Sequence, residues 1–261
     1  MLGKTLVIGV GSMGGALLRG ALHNGILQKQ DTSVLVRRSE QLQSLQEELG
    51  ISGFTDMPDL TSFSTIILAV KPQVPFVLSQ MGSVTEGTTV ISVAAGITLA
   101  TLQSALPNAI MYRAMPNTPA SIGCGMTALT TEADVDTSDV EALFSAVGEV
   151  AVVSEADLDR LGALSGAGPG YMFVILDALA DAGVRIGLSR QLAIKAAAQT
   201  LYGAGKMALE SGLHPSVLRD QVTSPGGTTI AGIGAMEKGG IRSALQDGVV
   251  AALARSNELG K

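Results

Sequence analysis

The chain has 261 residues, enough for one large domain or two moderate ones, and 46% of them are hydrophobic, so a substantial core can form. Only 15% of the residues are charged, which excludes a largely disordered chain, and a net charge of −6 without any basic run argues against nucleic acid as a partner. No uncharged apolar run reaches the roughly 18 residues that a membrane helix needs. The sequence therefore predicts a cytoplasmic protein that contacts no membrane.

Residues 1–154 alternate between strand and helix patterns. Apolar strands are predicted at residues 6–9, 34–36, 54–55, 65–70, 89–93, 109–114, 127–130 and 150–153. Helices are predicted at residues 13–24, 40–49, 74–81, 98–105 and 134–147. Because apolar strands that alternate with amphipathic helices form mostly parallel sheets, this part is expected to be a Rossmann-type, doubly wound α/β domain that binds a dinucleotide.

Residues 155–261 show no convincing strand pattern. Ser154 and Ser189 are predicted helix N-caps, Pro169 is predicted to open a helix, and Gly212 to end one. Helices are predicted at residues 171–182, 190–210, 215–220, 228–237 and 242–259. This part is expected to be an all-helical substrate and dimerisation domain. Its many apolar faces favour a homodimer or a larger assembly, and the alternative is a bundle that packs only on the first domain of its own chain.

A glycine motif marks the predicted nucleotide site. Gly9, Gly11 and Gly14 form G-x-G-x-x-G directly after an apolar strand and at the start of a helix. Gly9 permits the tight turn, Gly11 lets the backbone approach a pyrophosphate, and Gly14 lets helix and strand pack closely. Ser12 and Met13, within the motif, are also cofactor-binding candidates. The alternative is an ordinary tight turn between a strand and a helix.

The end of the second strand indicates which dinucleotide binds. NAD sites usually place Asp or Glu there to hold the ribose 2′-hydroxyl, whereas this chain has Arg37 and Arg38, followed by Ser39. Guanidinium groups bind a 2′-phosphate through charge-assisted hydrogen bonds, so NADP(H) is preferred and NAD(H) is the second candidate. The alternative is a solvated pair of surface arginines.

Further cofactor contacts are predicted at two later strand ends, because ligands of doubly wound sheets lie over the carboxyl ends of the strands. The candidates are Ala69, Val70, Lys71, Pro72, Ala95 and Gly96. Lys71 faces either the cofactor or solvent, and the sequence leaves both open. Ala95 and Gly96 either leave room for the nicotinamide ring or pack closely against a neighbouring segment.

Residues 222–229 place a Pro-Gly-Gly turn directly before a helical pattern. Such a helix start presents free backbone N–H groups and the positive end of the helix dipole, which suits a small anion such as a substrate carboxylate. Thr228 and Thr229 are also expected to cap the helix. The substrate-binding candidates are Ser224, Gly226, Gly227, Thr228 and Thr229.

Taken together, these motifs resemble the pyrroline-5-carboxylate reductase family over nearly the whole chain. The stretches that carry the resemblance are residues 9–14, 69–73, 115–119, 165–169, 177–183, 223–230 and 237–240. The first is shared with many dehydrogenases, and the segment from residue 223 onward is highly specific. The resemblance implies NAD(P)H-dependent reduction of 1-pyrroline-5-carboxylate to L-proline, the last step of proline biosynthesis. It also implies a dimer interlocked through the helical domain, often assembled further into a decamer.

The resemblance implies roles for individual residues as well. Thr229 matches the family threonine whose hydroxyl lies near the ring nitrogen of the substrate, which makes it the catalytic candidate. Asn117 is expected to line the cleft beside the nicotinamide, or else to form a turn between two prolines. Met57 stands where the family usually carries an Asn that helps to hold the adenosine ribose or its phosphate. Arg37 and Arg38 are expected to take over that contact.

The remaining motifs indicate no further chemistry. Residues 165–170 are expected to form a helix-opening turn, and no metal-ligand spacing is present, so no metal site is expected. A hydroxyacid dehydrogenase of the 3-hydroxyisobutyrate type stays open as a rival function, with Lys195 as its candidate base. A non-catalytic NADP-binding protein is the second rival, since it would need the glycine motif but not the turn before Thr228.

Overall fold

The computed structural model describes residues 2–70 and 74–259, and the chain divides into two compact units. One unit comprises Met1–Ala167 together with Ala252–Lys261, and the other comprises Gly168–Ala251. The strands are β1 (Thr5–Ile8), β2 (Thr32–Leu35), β3 (Ser52–Phe54), β4 (Thr65–Leu68), β5 (Thr89–Ser92), β6 (Ile110–Met115), β7 (Gly125–Thr130) and β8 (Gly148–Val152). The helices between them and after β8 are α1 (Ser12–His23), α2 (Ser39–Leu49), α3 (Val74–Gln80), α4 (Leu99–Ala105), α5 (Ser138–Ser145) and α6 (Glu155–Leu161).

The described strands form one sheet in the order β3-β2-β1-β4-β5-β6-β7-β8. The β6–β7 pair is antiparallel, and each of the other neighbouring pairs is parallel. Strand β1 lies between β2 and β4, so the order of the chain reverses there, which is the topological switch point where doubly wound sheets bind ligands. The predicted Rossmann-type α/β fold is therefore confirmed.

Apolar layers cover both faces of this sheet. Strands β1 and β4 are buried at every position, as expected of central parallel strands. One face packs against α1 through Leu17 and Leu18, and the other packs against α4 through Leu102. Each such side chain contributes about 1.5–3 kcal/mol when it is fully buried. This double layer fixes the strand ends that carry the candidate cofactor residues.

The helix predicted at residues 134–147 is shorter in the structure. It begins only at Ser138, because a carboxylate oxygen (Oδ1) of Asp136 accepts the Ser138 N–H at 2.9 Å and holds the preceding residues in a turn. Strand β8 begins at Gly148, earlier than predicted, and its first residue pairs with Gly125 of β7. The φ angle of Gly148 is 151°, a region that favours glycine and allows this close backbone approach.

The helix-opening turn predicted at residues 165–170 is right in that a helix begins at Gly168, but wrong in that the residues before it are already helical. Residues Gly162–Gly166 instead form a π-helical turn after α6, closed by a hydrogen bond of 3.0 Å from the Ala167 N–H to the Gly162 carbonyl oxygen. Small residues permit this turn, since a Cβ on Gly166 would lie 3.1 Å from the Met115 side chain. Helix α7 (Gly168–Arg185) follows after Ala167.

The second unit is helical. After α7 it contains α8 (Arg190–Ser211), α9 (Pro215–Gln221), α10 (Thr228–Lys238) and the beginning of α11 (Ile241–Leu259). The predicted cap at Ser189 is confirmed, since its Oγ accepts the Leu192 N–H, and Gly212 ends α8 in the left-handed conformation. The predicted all-helical second part is thus confirmed.

The contact between α7 and α8 relies on small residues. A Cβ on Gly183 would lie 2.8 Å from the Cβ of Ala193, so glycine allows the two helices to approach closely. The guanidinium of Arg190 also donates a hydrogen bond of 2.5 Å to the Asp181 carboxylate.

Little of this unit is buried within a single chain. Among residues 168–251, all of which the structure describes, the buried residues are Ala180, Ala193 and Ala197. Large apolar side chains are exposed instead, among them Phe173, Val174, Ile186, Tyr202, Leu209 and Val250. Apolar surface of this extent is typical of a face that is covered in a protein assembly.

Within the part of the chain that the structure describes, one helical run, Glu155–Arg185, is long and apolar enough to cross a membrane by length and composition, and 11% of its apolar window is buried. A single run of this kind is weak evidence, because a helix that packs in a protein assembly passes the same test. Asp177 and Asp181 lie within it, and carboxylates are expensive inside a bilayer.

Candidate active site

A cavity of about 1300 Å³ opens at the carboxyl ends of β1, β2 and β4. This is the position that a doubly wound sheet offers to a ligand. The predicted cofactor residues that line it are Gly9, Gly11, Arg37, Arg38, Ala69 and Val70. The structure therefore brings together the glycine motif, the arginine pair and the end of β4.

The glycine motif leaves room for a pyrophosphate. Gly9 has φ 91°, and a Cβ there would lie 2.7 Å from the Ala69 carbonyl oxygen. A Cβ on Gly14 would overlap the carbonyl oxygen of Gly9, so α1 starts close against β1. A Cβ on Gly11, in contrast, would meet no described atom within 4 Å, because Gly11 faces the open cavity. The backbone thus fits a bound dinucleotide whose pyrophosphate approaches Gly11.

The start of α2 lies beside this loop. Its N-cap is Arg38, and no side chain of the described residues caps the first turn. Ser39 is the first helical residue, and both Arg38 before it and Gln41 after it line the cavity. This combination of cations and free N–H groups suits a phosphate.

Gln41 is a cavity residue that sequence reasoning missed. Its side-chain amide nitrogen, Nε2, donates a hydrogen bond of 2.8 Å to the carbonyl oxygen of Val10, which lies between Gly9 and Gly11. The bond connects two segments that are 31 residues apart in sequence. Its position in the first turn of α2 was the available signal, since Gln at that position often makes a backbone hydrogen bond.

The far side of the cavity is formed by the exit of β3 and by α3. Met57 and Val77 supply apolar surface, while Thr55 and Asp56 supply polar groups, and none of these was predicted as a cofactor contact. The Thr55 hydroxyl donates to the Asp56 carboxylate at 3.2 Å. Met57 packs partly against the core below the sheet, so an apolar side chain occupies the position where the resemblance implies an Asn.

Other predicted cofactor residues lie elsewhere. Ser12 lines a second cavity, of about 930 Å³, beside α1, and Met13 packs against the core. Ala95 and Gly96 follow β5 and do not line the first cavity, and Gly96 adopts φ 78°. Lys71 and Pro72 lie outside the described residues, so their predicted contacts stay predictions.

Asn117 has a structural task in the first unit. Its Nδ2 donates to the Ser165 carbonyl oxygen at 2.9 Å, and its Oδ1 accepts the Met126 N–H at 2.9 Å. The residue is 8% exposed. Both ends of the amide are therefore engaged, as in the turn interpretation, and the predicted position beside the nicotinamide remains a prediction.

The predicted carboxylate site lies in the second unit, at the start of α10. Gly226 adopts φ 67°, a left-handed conformation that favours glycine. The Gly227 N–H donates to the Ser224 carbonyl oxygen at 3.0 Å, which closes the turn. The side-chain oxygen of Ser224 occupies the space that a Cβ on Gly227 would need.

The expectation that Thr228 and Thr229 cap this helix is wrong. Gly227 is the N-cap, and within the described chain no side-chain hydrogen bond caps α10. Both threonines are exposed. The first-turn N–H groups and the two hydroxyls are consequently available to an anion, because the backbone turn alone sets the start of the helix.

No group of three or more His, Cys, Asp or Glu side chains within residues 2–70 and 74–259 is arranged to hold a metal ion. The candidate sites described so far are the loops that line the first cavity and the start of α10.

Comparison with known proteins yields two family matches. The family model described as pyrroline-5-carboxylate reductase dimerisation matches residues 155–259. The model described as NADP oxidoreductase, coenzyme F420-dependent, matches residues 4–96. The first match covers the exposed apolar helices, and the second covers the strands and loops that form the cavity.

Relatives match along the whole chain. The chain is 41% identical to a pyrroline-5-carboxylate reductase of Methanosarcina acetivorans, over 97% of each chain. It is 38% identical to one of Arabidopsis thaliana, over 98% of this chain and 95% of the relative.

Solved structures agree with these matches. A pyrroline-5-carboxylate reductase of Coxiella burnetii superimposes with a TM-score of 0.91 at 33% identity, over 100% of both chains. A pyrroline carboxylate reductase of Plasmodium falciparum, solved with NADP bound, gives 0.85 at 27% identity, over 99% of this chain and 98% of that one.

A Rossmann-type sheet with a dinucleotide cavity, followed by a helical dimerisation domain, defines an NADP-dependent oxidoreductase. The full-length matches narrow this class further. The chain belongs to the pyrroline-5-carboxylate reductase family.

Proposed function

We propose that this chain reduces 1-pyrroline-5-carboxylate to L-proline, with NADPH as the preferred reductant and NADH as the second. One observation carries the proposal. This member of the family has both a cavity that fits a dinucleotide and a helix, α10, whose first turn no side chain caps and which begins directly after two glycines. The cavity fits the reductant, and the helix start fits the substrate carboxylate. Residues 1–154 are assigned to dinucleotide binding and residues 155–261 to substrate binding and dimerisation.

The first unit would hold NADPH with its backbone and its arginines. Gly9, Gly11 and Gly14 shape the loop for the pyrophosphate, and Arg37 and Arg38 supply positive charge for the 2′-phosphate. The nicotinamide of bound NADPH supplies the hydride. Further contacts are assigned to Ser12, Met13, Ala69, Val70, Lys71, Pro72, Ala95, Gly96 and Asn117.

The turn before α10 would bind the substrate carboxylate. Free N–H groups of Thr228 and Thr229, the positive end of the helix dipole and the nearby Ser224 hydroxyl all favour an anion. The first turn of α10 contains no acidic residue that would oppose it. Gly226 lets the carboxylate approach the backbone without a Cβ in the way, and Gly227 leaves room for the Ser224 hydroxyl beside the start of the helix.

Thr229 is proposed as the catalytic residue because its hydroxyl can orient the ring nitrogen of the imine. A protonated imine accepts hydride more readily than a neutral one, so the substrate is proposed to bind as the iminium ion formed in solution. The proton on nitrogen is then already in place, and hydride addition at the imine carbon, which becomes the δ-carbon of proline, yields the neutral amine. No general acid is required from the protein in this scheme.

A homodimer is proposed as the working unit. The second unit buries three alanines within its own chain and exposes large apolar side chains on its helices, which a second copy of the dimerisation domain would cover. Burial in such a dimer would also account for the apolar character of the helical run Glu155–Arg185, with no need for a membrane. Assembly into a decamer, a cytoplasmic location and the lack of nucleic acid or membrane partners belong to the same proposal.

One assay tests this function against its rivals. Purified protein is mixed with NADPH and 1-pyrroline-5-carboxylate, the near-ultraviolet absorbance of the reduced nicotinamide is followed, and proline is identified as the product. Oxidation of NADPH with formation of proline is the expected result. Turnover only of a 3-hydroxyacid with NADP⁺ would favour the dehydrogenase, and cofactor binding without turnover of either substrate would favour a non-catalytic protein.

A further inference from the structure

The amide of Gln41 connects two segments that line the first cavity. Its Nε2 donates to the Val10 carbonyl oxygen at 2.8 Å, and Val10 lies between Gly9 and Gly11 of the pyrophosphate loop. Gln41 itself belongs to the first turn of α2, next to the arginine pair. The hydrogen bond is partly buried, so water competes with it less than at the surface.

This bond is not a helix cap. Gln at the third helical position commonly reaches back to the backbone N–H of the N-cap, but here the amide reaches across to another loop. The first turn of α2 keeps its N–H groups free of side-chain caps in the described chain. Gln41 thus holds the position of α2 while leaving the anion-binding end of that helix open.

The two connected segments meet different groups of the cofactor. Under the proposed function, the loop around Val10 meets the pyrophosphate, and the start of α2 with Arg37 and Arg38 meets the 2′-phosphate. NADPH binds best when the two segments are correctly spaced, because its pyrophosphate and its 2′-phosphate are attached to the same adenosine ribose, which limits the distance between them. NADH has no 2′-phosphate, so the spacing of the second segment should matter less to it.

We infer that Gln41 is a positioning residue that favours NADPH over NADH. Its hydrogen bond holds the segment with Arg37 and Arg38 at a fixed distance from the loop of residues 9–11. Because the two segments are already held in place, less conformational entropy is lost when NADPH binds. The inference rests on the proposed function, since it assumes that the cavity binds NADPH.

The test replaces Gln41 with methionine, which keeps the length of the side chain and removes the N–H donor. The matched control is Gln43→Met on the same helix, where the amide donates to Glu47 at 2.9 Å on the surface and does not line the cavity. Dissociation constants for NADPH and NADH are measured by fluorescence titration of the wild-type protein and both variants. Thermal unfolding without cofactor and the KM for pyrroline-5-carboxylate are recorded alongside.

For Gln41→Met, we expect the Kd for NADPH to rise about fivefold, the change that one net hydrogen bond corresponds to, while the Kd for NADH changes less than about twofold. The control should leave both constants unchanged, and neither variant should alter the KM for the imine. Equal weakening of both cofactors together with a lower unfolding temperature would mean that Gln41 only stabilises the fold, and this would overturn the inference.

The outcomes separate this inference from the proposed function. If wild-type protein binds NADPH and forms proline but Gln41→Met leaves both Kd values unchanged, only the role of Gln41 is lost. If wild-type protein fails to bind NADPH, the proposed function fails first, and the inference fails with it.

Discussion

The guanidinium of Arg113 is buried against the carboxylate of Glu155, with a hydrogen bond of 2.6 Å from Nη1 to Oε1. The Arg113 side chain is 5% exposed, and its Nη2 also donates to Asp159 at 3.0 Å. The same Glu155 oxygen accepts the Leu99 N–H at 2.7 Å. One carboxylate therefore connects β6, the start of α6 and the start of α4.

Substitution of Glu155 by alanine should destabilise the first unit. Arg113 would keep Asp159 as its remaining partner, whereas the Leu99 N–H would lose its acceptor, so we expect a loss of about 1–3 kcal/mol in the free energy of unfolding. Urea unfolding at one fixed protein concentration measures it, because assembly makes stability depend on concentration. Glu210→Ala is the control, since that exposed carboxylate pairs with Lys206 at 3.5 Å and should contribute well under about 1 kcal/mol. Similar small losses in both variants would contradict the structural role of Glu155.

The positions of most helices and strands could be predicted from the spacing of apolar residues and from the capping and glycine residues at their ends. The glycine motif Gly9, Gly11 and Gly14 predicted the turn between β1 and α1. Ser189 and Gly212 predicted the two ends of α8 to within a residue or two. These signals are local, because a cap or a left-handed glycine acts on its own turn of the chain. The boundary of α5 was missed because the Asp136 side chain competes with the helix for the Ser138 N–H.

The contacts that shape the site were not predictable in the same way. Gln41 reaches Val10 across 31 residues, Arg113 reaches Glu155 across 42, and Asn117 reaches Ser165 across 48. Each of these contacts depends on tertiary packing, which a single sequence does not show as a repeating pattern. The π-helical turn at Gly162–Gly166 is a further example, because small residues permit it but do not require it.

Arg37 should discriminate between the two nicotinamide cofactors. It lines the cavity beside Arg38, so Arg37→Ala is expected to weaken NADPH by roughly tenfold to a hundredfold, the range for a hydrogen bond to a charged group, and NADH far less. Titration with each cofactor measures the ratio of the two dissociation constants. Arg160→Ala serves as the control, because Arg160 is exposed on α6, pairs with Asp157 at 2.6 Å and does not line the cavity. An equal effect on the affinities for NADPH and NADH would contradict the proposal that Arg37 binds the 2′-phosphate.

Thr229 should affect turnover rather than cofactor affinity. Its exposed hydroxyl lies in the first turn of α10, in the second unit, whereas the dinucleotide cavity is lined by residues of the first. Thr229→Ala is therefore expected to lower kcat/KM for pyrroline-5-carboxylate by at least about tenfold, as for the loss of a hydrogen bond to a charged ligand, with little change in the Kd for NADPH.

The control for this variant is Thr200→Ala in α8. That threonine is also exposed and helical, and its hydroxyl donates to the Ala196 carbonyl oxygen at 2.8 Å within its own helix. Its kinetics should match those of the wild-type protein. Unchanged steady-state kinetics in Thr229→Ala would take this residue out of the substrate site.

Gly11 and Gly14 should respond differently to the same added methyl group. A Cβ on Gly14 would overlap the Gly9 carbonyl oxygen and lie 2.7 Å from the Cβ of Ala69, so Gly14→Ala must displace α1 and destabilise the first unit. A Cβ on Gly11 would meet no described atom within 4 Å, so Gly11→Ala should unfold at the wild-type temperature or slightly above it.

The added methyl group of Gly11→Ala would project into the space assigned to the pyrophosphate, so both NADPH and NADH should bind at least about tenfold more weakly. Thermal unfolding without cofactor and titration with both dinucleotides separate the two effects. Gly25→Ala tests glycine loss away from the cavity, since Gly25 has φ 70° and should therefore lose stability without losing cofactor affinity. If Gly11→Ala bound both cofactors normally, the pyrophosphate would have to lie elsewhere, because a backbone position in contact with it cannot accept a methyl group.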